Sequence, residues 1–212
     1  MADEEKGSSG HQDDDRRKLY RHISAVICFL LTVILLIILL IFLILRPSKP
    51  SFTLQDGKLR AFNISTATAA VTSSLQITIS SRNPNDRIGI YYDQFDVYIA
   101  YRNQQITLPT MIPPTYQGHK EVAVWSPNLY GTEVPVAPGV AMALAEDEAA
   151  GMVLVNVKGT GRVRWKVGSF VTAGYKLTVN CPAYLPFEKR NDGSVAEPAV
   201  KYQFVEDCHV EV

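Results

Sequence analysis

The sequence is poor in most features that mark catalytic or nucleic-acid-binding chains. Its 212 residues carry 21 Lys and Arg against 21 Asp and Glu, a formal charge of zero. Bulk attraction to nucleic acid therefore has no source, and no nucleic-acid partner is expected. Three cysteines are too few for a disulfide-dense scaffold. Of four histidines, His11 and His22 lie near the N-terminus, which leaves His119 and His209. Neither has metal-ligand spacing to another His or Cys except His209 beside Cys208, and adjacent residues seldom share one zinc ion. No G-x-S-x-G elbow and no Walker loop occurs. Gly159-Thr-Gly-Arg-Val-Arg164 begins like a dinucleotide fingerprint but lacks its third glycine. Glu146, Asp147 and Glu148 are consecutive on an expected helix, so their side chains diverge rather than converge on calcium. These gaps point to a non-enzymatic protein without metal or cofactor.

What is present is apolar: 47% of residues are hydrophobic, too many for global disorder. Much of that content sits between Ile23 and Leu45, where no charged residue occurs. A helix of that length measures about 34 Å, against about 30 Å of bilayer hydrocarbon. A cleaved signal peptide is the rival reading, but its core is usually shorter, and Arg46-Pro-Ser-Lys-Pro50 stands where small cleavage-site residues belong. The run reads as an uncleaved signal-anchor with the lipid bilayer as its partner. Arg16, Arg17, Lys18 and Arg21 crowd its N-terminal flank, against Arg46 and Lys49 beyond it. The immediate flanks favour a single-pass type II orientation, N-terminus cytosolic and C-terminal segment across the membrane.

Four segments follow: a disordered cytosolic tail over 1–22, a transmembrane helix over 23–45, a linker over 46–51 and a domain over 52–212. Within the domain the period is two. Leu75, Ile77 and Ile79 make one stripe, Phe95, Val97, Ile99 and Tyr101 another, and Val153, Val155 and Val157 a third. Val163, Trp165 and Val167 alternate with Arg162, Arg164 and Lys166, and Tyr175, Leu177, Val179 and Cys181 continue the pattern. Gly159-Thr-Gly161 predicts a tight hairpin turn between two stripes. Residues 140–150 predict a short helix ended by Gly151. Seven or eight strands with little helix predict an antiparallel β-sandwich, all-β in class, with the prolines at 109, 113, 114, 127, 135 and 138 in loops or on edge strands.

Cys28 lies within the apolar run, as a small hydrophobe or a palmitoylation site. Cys181 and Cys208 both fall in the domain; a bridge between them contributes about 3.5 kcal/mol in the chain-entropy treatment. Two reduced core cysteines are the alternative if the domain is cytosolic. Asn63-Ile-Ser65 is an N-glycosylation acceptor, which requires Asn63 to face the secretory lumen.

One stretch, Asn83-Pro-Asn-Asp-Arg-Ile-Gly-Ile-Tyr-Tyr-Asp93, follows a β stripe some 38 residues beyond the apolar run. With the basic flank, the anchor and Gly161-Arg-Val-Arg-Trp-Lys-Val-Gly168, it resembles the land-plant harpin-induced and non-race-specific disease-resistance-like proteins, which carry a late-embryogenesis-abundant group 2 domain. The likeness spans most of residues 16–181. It implies an immunoglobulin- or fibronectin III-like sandwich, plasma-membrane residence and a role in pathogen defence or stress signalling. Physically the motif reads as structural: Pro84 fixes φ, Asn83 and Asn85 favour turns, and Gly89 permits a bend before Tyr91, Tyr92 and Asp93. The expected function is binding of immune-signalling proteins by the external sandwich. The alternative is a membrane-tethered module that binds lipid or another apolar small molecule. Assembly with identical or different chains is left open.

Overall fold

The computed structural model describes residues 8–44, 47–187 and 201–212, and the chain divides into two compact units, Met1–Arg46 and Pro47–Val212. The first contains α1 (Ser8–Ile44). From Leu19 to Leu40 its side chains are exposed, with Val33 alone half-buried. It is long and apolar enough to cross a membrane. Residues 8–22, which composition places in a disordered tail, are helical. Once the apolar run has met the cost of nucleation, each added residue gains a backbone hydrogen bond, and a polar flank can extend the helix.

In the second unit the described elements run in the order β1 (Ser51–Ser65), β2 (Ala70–Arg82), β3 (Ile88–Tyr101), β4 (Gln104–Gln105), β5 (Thr110–Ile112), β6 (Thr115–Gln117) and β7 (Val122–Trp125). Then come β8 (Asn128–Pro135), α2 (Pro138–Ala150), β9 (Met152–Val167), β10 (Phe170–Val171), β11 (Tyr175–Pro186), β12 (Lys201–Asp207) and β13 (His209–Glu211). One sheet is ordered β12-β1-β2, with β7 and β8 both paired to β2. The other is ordered β13-β11-β9-β3, with β4, β5 and β6 in turn on β3 and β10 on β9. Every pairing is antiparallel.

Alternation makes the core. Leu75, Ile77 and Ile79 of β2 and Val153, Val155, Val157, Val163 and Trp165 of β9 are buried in one cluster with residues of both sheets. Phe52 and Trp125 from the first sheet meet Tyr92 and Phe95 from the second, with ring centroids 5.4–6.4 Å apart. This ring cluster packs between the sheets as part of that core.

Several local expectations need correction. No turn forms at Gly159–Gly161: β9 runs straight through, with Gly159 opposite Val97 and Gly161 opposite Phe95. The reason is lateral. A Cβ on Gly159 would come within 2.5 Å of the Phe95 ring, and one on Gly161 would meet the Gln94 carbonyl oxygen. The glycines make room for a buried aromatic on the neighbouring strand. The return along β3 after Tyr101 is broken into the short strands β4, β5 and β6. The two-residue turn Arg102–Asn103, both at positive φ, opens the first of these pairings. Pro138 lies neither in a loop nor on a strand but in the first turn of α2, where its missing N–H leaves no bond unmade. Gly151 ends that helix at φ 93°, its N–H donating to the Glu148 carbonyl.

The C-terminal segment changes sheets. β12 pairs with β1 and β13 with β11, and Cys208 stands between them. Its sulfur is bonded to Cys181 of β11, and its N–H donates to the Phe52 carbonyl of β1 at 2.9 Å. The crossing point is thus fastened to both sheets at once.

Candidate functional site

The two motifs far apart in sequence are neighbours in the fold. Gly89 pairs with Lys166, Ile90 with Trp165, Tyr91 with Arg164 and Tyr92 with Val163. Because successive side chains leave opposite faces of a strand, this register divides the motif residues into an inward and an outward set.

The inward set is a satisfied polar cluster within the core. Tyr92 is 2% exposed, its hydroxyl 2.7 Å from Ser81 Oγ and 3.0 Å from Gln117 Oε1. Gln117 Nε2 donates to the carbonyls of Ser81 and Glu121 at 2.7 and 2.8 Å. Burial pushes the Tyr92 phenol well above its ordinary value, with the Ser81 hydrogen bond opposing, so it stays a neutral donor. This cluster links β2 of one sheet to β3 and β6 of the other, a structural task.

The outward set is a solvent-facing aromatic–cation cluster. The Tyr91 and Tyr116 rings lie 4.6 Å apart. Lys166 Nζ stands 5.1 Å from the Tyr116 centroid and 5.9 Å from that of Tyr91, and the Arg164 guanidinium stands 5.5 Å from Tyr91. Gly89 makes the arrangement possible, since a Cβ there would come 2.5 Å from the Tyr116 hydroxyl. A register shift between Tyr92 and Gln94 leaves Asp93 out of the ladder. Its two carboxylate oxygens each accept from Arg164 at 2.6 Å. The hydrogen bond to Asp93 holds the guanidinium above its ordinary pKa. Such a surface offers π faces and fixed cations, the chemistry of docking rather than of proton transfer.

Asn83 and Asn85 act as a clamp. Asn83, fully buried, donates from Nδ2 to the carbonyls of Ile88 and Gly118, while its Oδ1 accepts from the N–H and Nδ2 of Asn85. Asn85 in turn pairs with the backbone of Ser48: Oδ1 accepts from the Ser48 N–H and Nδ2 donates to its carbonyl, both at 2.8 Å. The Pro84 carbonyl accepts from Lys120 Nζ at 2.7 Å. The motif thus fixes the backbone at the very start of the domain.

The other sequence-selected residues are dispersed. Asn63 is exposed on β1, paired with Thr72 near the β1–β2 turn. Cys28 is exposed on α1. Arg17 and Arg21 are exposed on the same helix, and the side chains of Arg16 and Lys18 lie outside the described residues. Among the described residues no group of three or more His, Cys, Asp or Glu comes together. Asp147 instead accepts from the Tyr101 hydroxyl at 2.5 Å. Burial first, and Asp147 second, push that phenol up to about 12. Sequence reading missed Tyr116, Gln117 and Ser48. Their roles arise from strand pairings and a clamp across 37 residues, and nothing in their local pattern announces them.

A family model described as "Late embryogenesis abundant protein" matches residues 78–181, a span that includes both motifs. The chain is similar to "NDR1/HIN1-like protein 1" of Arabidopsis thaliana, 56% identical over 93% of this chain and 95% of that one. It is also similar to "NDR1/HIN1-like protein 12" of the same plant, 52% identical over 81% of each chain. A third relative, "NDR1/HIN1-like protein 26", is 41% identical over 69% of each chain. The chain belongs to the NDR1/HIN1-like family of late embryogenesis abundant proteins.

Proposed function

We propose that this chain is a non-enzymatic, single-pass plasma-membrane protein. Its N-terminus is cytosolic, its sandwich is extracellular, and it acts in plant defence and stress responses through proteins that dock on the second sheet. The observation that carries this reading is the aromatic–cation cluster of Tyr91, Tyr116, Arg164 and Lys166. Both motifs place their outward side chains there, on a face that the core does not need. Ordered aromatics beside Arg are the side chains most often found at the centre of protein interfaces. Anchoring is supported by the exposed apolar α1, and an external location by the Cys181–Cys208 bond, a linkage that persists in oxidising compartments. An exposed Asn63 fits the same side of the membrane. The carrier reading has less support, because the rings of Phe52, Tyr92, Phe95 and Trp125 pack against one another between the sheets.

A photo-crosslinking amino acid placed at 116 in the full chain tests this in elicitor-treated plant tissue. Tyr130, on the opposite sheet and 53% exposed, is the control position. The expected result is a discrete protein adduct from position 116, absent from position 130 and lost when Arg164 is replaced by Ala. Indistinguishable adducts from both positions would overturn the docking face.

A further inference from the structure

Phe170 is the most exposed large hydrophobic side chain among the described residues, at 82%. It sits on a hairpin whose second strand is β10, with Phe170 paired to Val167 and Val171 to Lys166. The whole segment 168–176 is exposed and includes Val171 at 43%. The hairpin is held rather than loose: Thr172 N–H donates to the Trp165 carbonyl at 2.9 Å, and Thr172 Oγ1 accepts from Trp165 N–H at 3.1 Å. An ordered strand pair therefore presents an aromatic side chain to solvent, at a cost the fold does not need to bear for its own core.

Its position is informative. Ser48 is clamped by Asn85, Asn85 by Asn83, and Asn83 by the Ile88 carbonyl. Ile88 pairs with Val167 and Val167 with Phe170. The hairpin thus lies at the end of the domain where the chain arrives, four residues after α1 ends at Ile44. The same end carries Arg82 and Arg87, both exposed and without a carboxylate partner among the described residues. The turn between them also carries Asp86, which Lys120 meets at 3.1 Å, so its carboxylate is paired. An apolar tip on an end with unpaired cations is the chemistry that enters the interface of an anionic bilayer.

We infer that the β9–β10 hairpin is a second membrane contact, in which Phe170 enters the interfacial layer of the bilayer that holds α1 while Arg82 and Arg87 meet anionic headgroups. This rests on the reading of α1 as a membrane anchor. The contact holds the entering end of the domain against the bilayer and leaves the β1–β2 turn pointing away. At about 3.3 Å per step, the thirteen paired positions of β1 set that turn at most about 40 Å from Ser51.

The test uses the full chain in nanodiscs of phosphatidylcholine, with or without phosphatidylserine, and a thiol-linked fluorophore quenched by spin-labelled lipid. Native Cys28 reports on the anchor. Phe170→Cys and Ala67→Cys, each with Cys28→Ser, report on the hairpin and on the far turn, where Ala67 is exposed. In anionic discs the probe at 170 should be quenched several-fold more than the probe at 67. Replacing Arg82 and Arg87 with Glu should lower that quenching at least twofold. If Cys28 is quenched while 170 is quenched no more than 67, the hairpin contact is wrong and the anchor stands. If Cys28 itself escapes quenching, the anchor reading fails first. Equal quenching at 170 in neutral and anionic discs would overturn the role given to the arginines.

Discussion

Asn83 shows how much one short side chain can hold. Its amide gives two protons to the Ile88 and Gly118 carbonyls and accepts from two donors of Asn85, so each atom has a partner and none faces water. Asn83→Ala leaves buried groups unpaired, an expected loss of about 3 kcal/mol. Asn83→Asp should be worse although it is nearly isosteric, because a carboxylate cannot donate and would face two carbonyl oxygens. Denaturant melts of the wild type and both variants check this order. Glu148 gives a pH-dependent case. Burial holds its carboxyl above the ordinary 4.5, so the folded chain keeps that proton to higher pH than the unfolded chain. Stability from this group is therefore greatest below pH 4.5 and declines as pH rises through the raised value. Glu148→Gln should melt higher than wild type at about pH 7, with the difference gone by about pH 4.

The strands show what can be read along a chain and what requires its neighbour. Val163, Trp165 and Val167 alternate with Arg162, Arg164 and Lys166 in sequence, and the same alternation appears as an inner and an outer face of β9. That pattern is local, and with its counterparts in β2, β3 and β11 it is enough to indicate two antiparallel sheets. Gly159 and Gly161 are different: alone they resemble a turn, and only Phe95 across the ladder explains why they lie in mid-strand. Tyr91 and Tyr92 look equivalent in sequence, yet the register with β9 sends one outward and the other to Ser81 and Gln117. The half of the site made by Tyr116 is illegible for the same reason, since β6 is three residues long and too short to show a period. Gly161→Ala should cost about 3 kcal/mol, because the obstacle is backbone of β3 and cannot rotate away. Gly89→Ala meets only the end of a side chain, so it should leave the melting temperature nearly unchanged while separating the Tyr91 and Tyr116 rings. Thermal melts and ring-proton shifts by NMR distinguish the two.

At the scale of the molecule, one covalent link closes the sandwich where its last strand moves from one sheet to the other. Cys208→Ser should lower stability by about 3.5 kcal/mol, which for a domain of this size lowers the melting temperature by about 10 °C. The same link carries information about the side of the membrane on which the domain resides. Intact plant cells expressing the full chain, quenched in acid and treated with a polyethylene-glycol maleimide, measure it by gel shift. The chain has three cysteines, and Cys28 is free. An external, oxidised domain predicts no more than one adduct before reduction and two further adducts after it. Three adducts without reductant would place both domain thiols in a reducing compartment and contradict the account.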